Sequence, residues 1–408
     1  MSPCLSRTFA IKNISGSGVG LLVLLVGTPA FADQFDTLNY TASAGYFFDN
    51  NIYRLPSWKD PKTAIGATGK SDRIQQLSLS IDVDKKYANQ ELLFKAKGTN
   101  NKYRSFSLLN YNDTAYYAAW NWSPGSKLHG TLSENRTQTL YSFADVQTKT
   151  RNLKTISTPR LSADWWFQSN WHLLLGIGKE DSTSSVTTAN SLSYRTNTKE
   201  WGMKYDPSDG NWVMLMSRTI RGSYSNAGLY NVAQIDTEYT EKQQELQANW
   251  QLTGKSVLSG NLKNIKRQYP VFSQRDYSGM ERGIKYTWGA TGKTYLNIAM
   301  NRSISSWFDT ASSYYVTDTV SISPGWQASA KVNLYMAILR SNTDYRNPVV
   351  ANTVARSDVN QTQMLGIGWA PDRSLNFNVS LQHSSRTSNY ADLEFSDKSA
   401  NLYFLVTF

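Results

Sequence analysis

Apolar and polar residues alternate along most of the chain. Leu77, Leu79, Ile81 and Val83 are interleaved with Ser78, Ser80 and Asp82. Leu296, Ile298 and Met300 are interleaved with Asn297 and Ala299, and Leu375, Phe377, Val379 and Leu381 with Asn376, Asn378 and Ser380. A period of two gives a strand one apolar and one polar face. The alternating stretches meet at short polar turns. The first is Tyr87–Gln90, the second Ser123–Ser126, the third Gln168–Asn170 and the fourth Asp206–Gly210. Four more follow Trp250, Trp288, Trp326 and Trp369. From the first, near 88, to the eighth, near 372, the mean spacing is (372 − 88)/7, about 41 residues. That length holds two strands of about 10 residues, one tight turn and one long loop. One strand before the first hairpin and one after the last bring the total to about 18. A propeller blade of this length needs four strands, and only one tight turn occurs per period.

Two features turn the apolar face toward lipid. Eleven of the 13 Trp lie within a few residues of the short turns. A membrane barrel gathers indoles there, at the interface, in an aromatic girdle. Leu402, Phe404, Val406 and Phe408 then alternate up to a terminal aromatic. The predicted fold is all-β, a transmembrane antiparallel β-barrel of about 18 strands over residues 33–408, in the outer membrane of a Gram-negative bacterium. Its short turns face the periplasm, and its long loops are extracellular.

Residues 1–32 read as a signal peptide. Arg7 and Lys12 precede the apolar run Leu21–Val26, and Ala30-Phe31-Ala32 is an A-x-A cleavage signal. The single cysteine, Cys4, lies ahead of that run, so the mature chain has none and no thiolate metal site or disulfide. Arg7 and Lys12 are the only charges in the leader, so the mature net charge is +11 − 2 = +9. A charged fraction of 18% is below the roughly 25% of soluble domains.

An 18-strand lumen is too wide for wall side chains to fill. By parity it receives Lys95, Lys97, Arg160, Lys204, Lys263 and Lys285, opposed by Asp82, Asp84, Asp113, Asp164 and Glu245. Tyr117, Tyr335 and Tyr403 share that face. The substrate-path candidates are Lys95, Lys97, Tyr117, Arg160, Lys204, Lys263, Lys285 and Tyr335. Mixed signs argue against a single-ion filter. The tyrosines have two readings, sugar stacking or packing beneath inward loops. Arg136, Arg218, Arg302 and Arg340 fall on the apolar parity about 10–12 residues beyond a turn. They read as contacts with lipopolysaccharide phosphates or as ligands turned into the channel mouth by bulges. The loops near 135–158 and 303–316, like the other seven, are solvated or folded inward as a constriction.

No catalytic residues, metal ligands or cofactor are predicted. His129, His172 and His383 stand singly, and no carboxylate cluster has convincing spacing. Gly289–Thr294 lacks the spacing of a phosphate loop. The charges are spread through the loops, so no nucleic-acid partner is implied.

The segment Gly45–Pro56, with the repeated Trp–turn–alternation, resembles the EpsL/VpsM-type outer-membrane barrels of exopolysaccharide clusters, including the exosortase-associated group. The resemblance implies a non-enzymatic channel exporting a polysaccharide. Its partners would be periplasmic and inner-membrane export proteins, outer-membrane lipid and lipopolysaccharide, and the barrel-assembly machinery. The alternative from the residues themselves is a diffusion porin or sugar-uptake channel; a third is a structural or adhesive surface barrel.

Overall fold

The computed structural model describes residues 37–144, 150–188, 192–225, 236–350 and 353–408. The leader predicted over 1–32 lies outside them. Nineteen strand segments form one antiparallel sheet that closes on itself. Two of them, Leu153–Ser157 and Arg160–Gln168, occupy a single place in the wall. Both pair with Leu128–Leu140 on one side and with Trp171–Ser184 on the other. Pro159 separates them, because proline has no N–H to give the ladder. The wall therefore has 18 positions, as the alternation predicts.

Closure is made by Leu38–Asp49, which pairs with Asp72–Tyr87 and also with Phe395–Thr407. Tyr40 and Phe408 exchange backbone hydrogen bonds of 3.2 and 2.8 Å at the end of that seam. All eight predicted turns fall at strand junctions. Ala88 sits at φ 50 between Tyr87 and Gln90, and Gly210 at φ 83.

The outward face is the predicted one. Leu77, Leu79, Leu175, Leu215, Met300 and Leu381 are all exposed, as lipid contact requires in the absence of lipid. Nine of the eleven turn-proximal Trp follow this outward parity, including Trp120, Trp201, Trp250, Trp288, Trp326 and Trp369, each of these six paired across strands with an apolar side chain. Trp166 and Trp212 depart from the girdle and face the lumen. Trp166 directly follows the outward Trp165 and so shares the inner face of Arg160 and Asp164, while at Trp212 the ladder shifts register between Asn211 and Val213 and the extra residue reverses the alternation.

Strands such as Asp72–Tyr87, with 16 residues, rise about 40 Å when tilted, beyond the roughly 25 Å apolar band. The extracellular loops are accordingly shorter than predicted, and several fold inward. Tyr53, between the first two strands, packs on Phe106 (5.0 Å) and on Phe143 (4.5 Å) from the loop after Leu128–Leu140. Ala144 in that loop accepts a 2.6 Å hydrogen bond from Arg386 on Leu375–Ser388, six wall positions away. This contact spans about a third of the circumference.

A second inward fold involves the hairpin Thr294–Ser306/Tyr314–Gln327. Its pairing with Tyr277–Trp288 ends at Arg282↔Arg302. Above that point the Ile304 N–H donates to Glu281 Oε1 (2.9 Å). Ile304 and Val316, which continue the outward parity of Met300, are buried with Tyr239, Ile265 and Tyr277 of the inner wall. The hairpin top has left the wall and leans over the lumen.

Candidate functional site: the lumen

The structure places every predicted lumen residue on the inner face, but in three different settings. Lys95 stands directly between Asp82 and Tyr117 in the cross-strand register. Its ammonium is 2.8 Å from Asp82 and its side chain is 60% exposed. Lys97 and Lys285, on the same inner face, are exposed. Tyr117 is half-buried. These groups meet lumen water. Lys204 instead donates to Asp206 (2.6 Å), near a periplasmic turn. Tyr335 donates to Asn378 Oδ1 (2.9 Å), and its ring lies over Gly366, where any Cβ would clash.

Arg160 and Lys263 belong to a third setting that spacing alone does not reveal. Six charges alternate in sign around one side of the wall: Arg160, Glu200, Arg218, Glu245, Lys263 and Glu281. Arg160 pairs with Glu200, Glu200 with Arg218 (3.0 Å to Nε), Arg218 with Glu245, and Lys263 with Glu281. Asn261 links to the chain by donating to Glu245 (3.3 Å). The intervening strand Trp171–Ser184 contributes no side chain at this level. Its Gly176 faces Glu200 and its Gly178 faces Arg160. A Cβ at 176 would collide with the Glu200 carboxylate. Glycine here lets Glu200 reach across a whole strand.

Arg218 falls on the apolar parity in the sequence, and of the two orientations left open for it the structure has the one in which a bulge turns it inward. It points inward, as do Met216 and Glu245. The same register shift at Asn211/Val213 that turns Trp212 explains it. Arg136, Arg302 and Arg340 do face outward: Arg302 is opposite Asp318, held by two hydrogen bonds of 2.8 and 2.6 Å.

Below the charge chain lies a cavity of about 620 Å³, lined by Glu91, Asn121, His129, Asp164, Glu200 and Arg218 among others. It extends down to turn residues Ala88 and Asn89, so it is the lumen's periplasmic vestibule. His172 is hydrogen-bonded to Asp164 through Nδ1 (2.7 Å) and stacked on Trp166. His129 Nδ1 bonds the Ser123 hydroxyl (2.8 Å). The histidines thus stand apart, and no group of three metal-ligating side chains occurs among the described residues.

Above the chain the lumen is occupied. Arg267 lies 4.0 Å over the Tyr239 ring and donates to Glu241 (2.6 Å) and to the Ser306 hydroxyl (2.5 Å). Arg275 is fully buried; it donates to the carbonyls of Trp307 (3.3 Å), Ser312 (3.1 Å) and Asp309 (2.9 Å) and so pins the loop joining the inward hairpin. Burial pushes the Arg275 guanidinium below its ordinary pKa, opposed by Tyr269 and Asp309. Beside the same loop, 5.8 Å from the Trp307 ring, Arg356 shares Asp358 with Arg386, and it lies 4.4 Å over Tyr345. The tyrosines packed at this level, Tyr239 and Tyr345, are not the Tyr117, Tyr335 and Tyr403 singled out from the sequence, which lie lower on the inner face.

No protein-family model matches the chain, and no curated protein matches its sequence. Its fold is similar to that of solved outer-membrane proteins. The Pseudomonas aeruginosa protein OpdK, crystallised with vanillate, aligns over 91% of this chain and 99% of its own with a TM-score of 0.51 and 11% identity. A BenF-like porin from Pseudomonas fluorescens Pf-5 aligns over 91% and 98%, with 0.51 and 11%. Acinetobacter baumannii OccAB4 aligns over 93% and 100%, with 0.52 and 10%. At this identity the likeness concerns the fold: a closed 18-strand antiparallel barrel of the Gram-negative outer membrane.

Proposed function

We propose that this outer-membrane barrel is a non-enzymatic diffusion channel for small polar solutes, with a preference for neutral or zwitterionic ones. The carrying observation is the alternating chain from Arg160 to Glu281. Each cation there already faces a carboxylate, so the wall offers a passing solute both signs within one side chain's reach and no net field to concentrate either ion. A zwitterion meets partners for both its ends. The loops packed across the upper lumen support a small cargo, as does the fold's likeness to a BenF-like porin and to OpdK, which was crystallised with vanillate. Export of a polysaccharide, with periplasmic and inner-membrane partners, rests on the resemblance of Gly45–Pro56. It requires those packed loops to leave the lumen.

Liposome swelling with the purified barrel tests the proposal. Glycine, small sugars and zwitterionic amino acids are expected to enter faster than monoanions or monocations of equal size. Oligosaccharides of several units are expected to be excluded. Equal rates for long oligosaccharides and for glycine would favour the polymer channel, and strong preference for one ion sign would defeat the reading of the charge chain.

A further inference from the structure

Outside the barrel, three lysines stand in one cross-strand row. Lys199 is opposite Thr219, Thr219 opposite Lys242, and Lys242 opposite Lys266. All three share the outward parity of Trp201, Leu246 and Leu262, and all are exposed. None forms an ion pair among the described residues. Their neighbours on this face, Thr240, Gln244, Asn264 and Ser278, include no acid. Like charges directly opposite each other on neighbouring strands are destabilising, and Lys242 with Lys266 is such a pair. Beside the row a second one follows, Arg282 opposite Arg302, where the single carboxylate of Asp318 is engaged by the Arg302 fork.

Height decides what these cations meet. Lys199, Lys242 and Lys266 lie about 10–12 residues above their periplasmic turns, so a tilted strand lifts them about 25–30 Å, to the outer rim of the apolar band. Directly beneath, Leu246 and Leu262 are exposed toward hydrocarbon. The outward face at that level has lipid headgroups for its neighbours. An unneutralised row of ammonium groups there matches an amphiphile whose phosphates lie at the rim and whose acyl chains lie below it.

We infer that this face, centred on Lys199, Lys242 and Lys266 and extended by Arg282 and Arg302, is a binding surface for the lipid A phosphates of lipopolysaccharide. The phosphates dock between the opposed cations and relieve their repulsion, while the acyl chains cover Leu246 and Leu262. This surface is independent of what passes through the lumen.

The test uses the full mature barrel refolded in detergent, with lipid A, dephosphorylated lipid A or phosphatidylglycerol added. Binding is read by native mass spectrometry and by the temperature at which the folded, fast-migrating form is lost on gels. Lipid A is expected to bind and to raise that temperature; dephosphorylated lipid A is not. At about fivefold per lysine, the Lys199→Gln/Lys242→Gln/Lys266→Gln variant should bind lipid A on the order of a hundredfold more weakly, while lumen variant Lys97→Gln binds as wild type. Equal binding of dephosphorylated lipid A, equal effect of phosphatidylglycerol, or full binding by the triple variant each overturns the inference. Should the triple variant not refold, the single Lys266→Gln variant, about fivefold weaker if the inference holds and unchanged if it fails, carries the same decision.

Discussion

Glu200→Gln removes one negative charge from the centre of the lumen chain and leaves the side chain's shape intact. The carboxylate is almost fully buried, 2% exposed, and holds both Arg160 and Arg218. Arg218 keeps Glu245, whereas Arg160 loses its only ion-pair partner among the described residues. Breaking a fully buried pair costs about 3–5 kcal/mol. Arg160 is 32% exposed to the lumen, so hydration offsets part of this, and a loss of about 1–2 kcal/mol is expected. The larger effect is on permeation. One unit charge about 6 Å from a passing ion in water contributes about 0.7 kcal/mol, roughly threefold in local concentration. Anions gain by that factor and cations lose by it, so the permeability ratio should move about tenfold toward anions. In a tenfold salt gradient across a planar bilayer the reversal potential should shift by a few tens of millivolts. The shift should be largest at low ionic strength, where screening is weakest. A folded variant with wild-type selectivity would place the charge chain outside the conduction path.

Ile298→Arg puts a charge in mid-membrane hydrocarbon and should cost about 2–4 kcal/mol in denaturant titrations; Asn297→Arg faces the lumen and should cost less, beyond loss of the Thr287 hydrogen bond. Arg275→Ala deletes the buried guanidinium that three loop carbonyls share; it should cost about 2–4 kcal/mol and raise single-channel conductance as the hairpin loop loosens. An unchanged, quiet conductance would show that the loop does not restrict the path. Ala88 occupies a left-handed conformation at φ 50, so Ala88→Gly should stabilise the first turn by up to about 1 kcal/mol in the same titrations.

Most of the wall was legible because a strand's side-chain period is two, and each apolar residue must choose lipid or water. The turns, the strand number, the closing role of Phe395–Thr407 and the inward placement of Lys95 through Lys285 all rest on that alternation. Reading failed where one extra residue entered the ladder. The shift at Asn211/Val213 turned Trp212 and Arg218 together; Trp166 needed no bulge, since it follows Trp165 on one strand and two successive side chains cannot share a face. A bulge has no periodic signature, so parity counted through it gives the wrong face. The charge chain was half legible: Arg160, Lys263 and Glu245 could be placed inside, but their neighbours depend on register between strands. The gap at Gly176 and Gly178 was visible only as two small residues. Contacts among loops, such as Tyr53 with Phe143 or Arg386 with Ala144, leave no pattern along the chain at all.

The separation of the hydrogen-bonded wall from the aromatic and arginine clusters inside it has a consequence for motion. A sheet closed from Leu38–Asp49 round to Phe395–Thr407 cannot dilate without breaking a whole ladder, which makes the wall the slowest-exchanging part of the molecule. The inward hairpin and the loop carrying Phe143 are tied instead by rings, carbonyls and a few guanidinium groups, and these can open singly. Amide exchange should therefore divide into two populations, a ladder protected for as long as the barrel lasts and a lumen filling that turns over much sooner. Passage through the barrel is then governed by rearrangements that never put the wall at risk, and changes in what passes can accumulate in the filling while the shell stays the same.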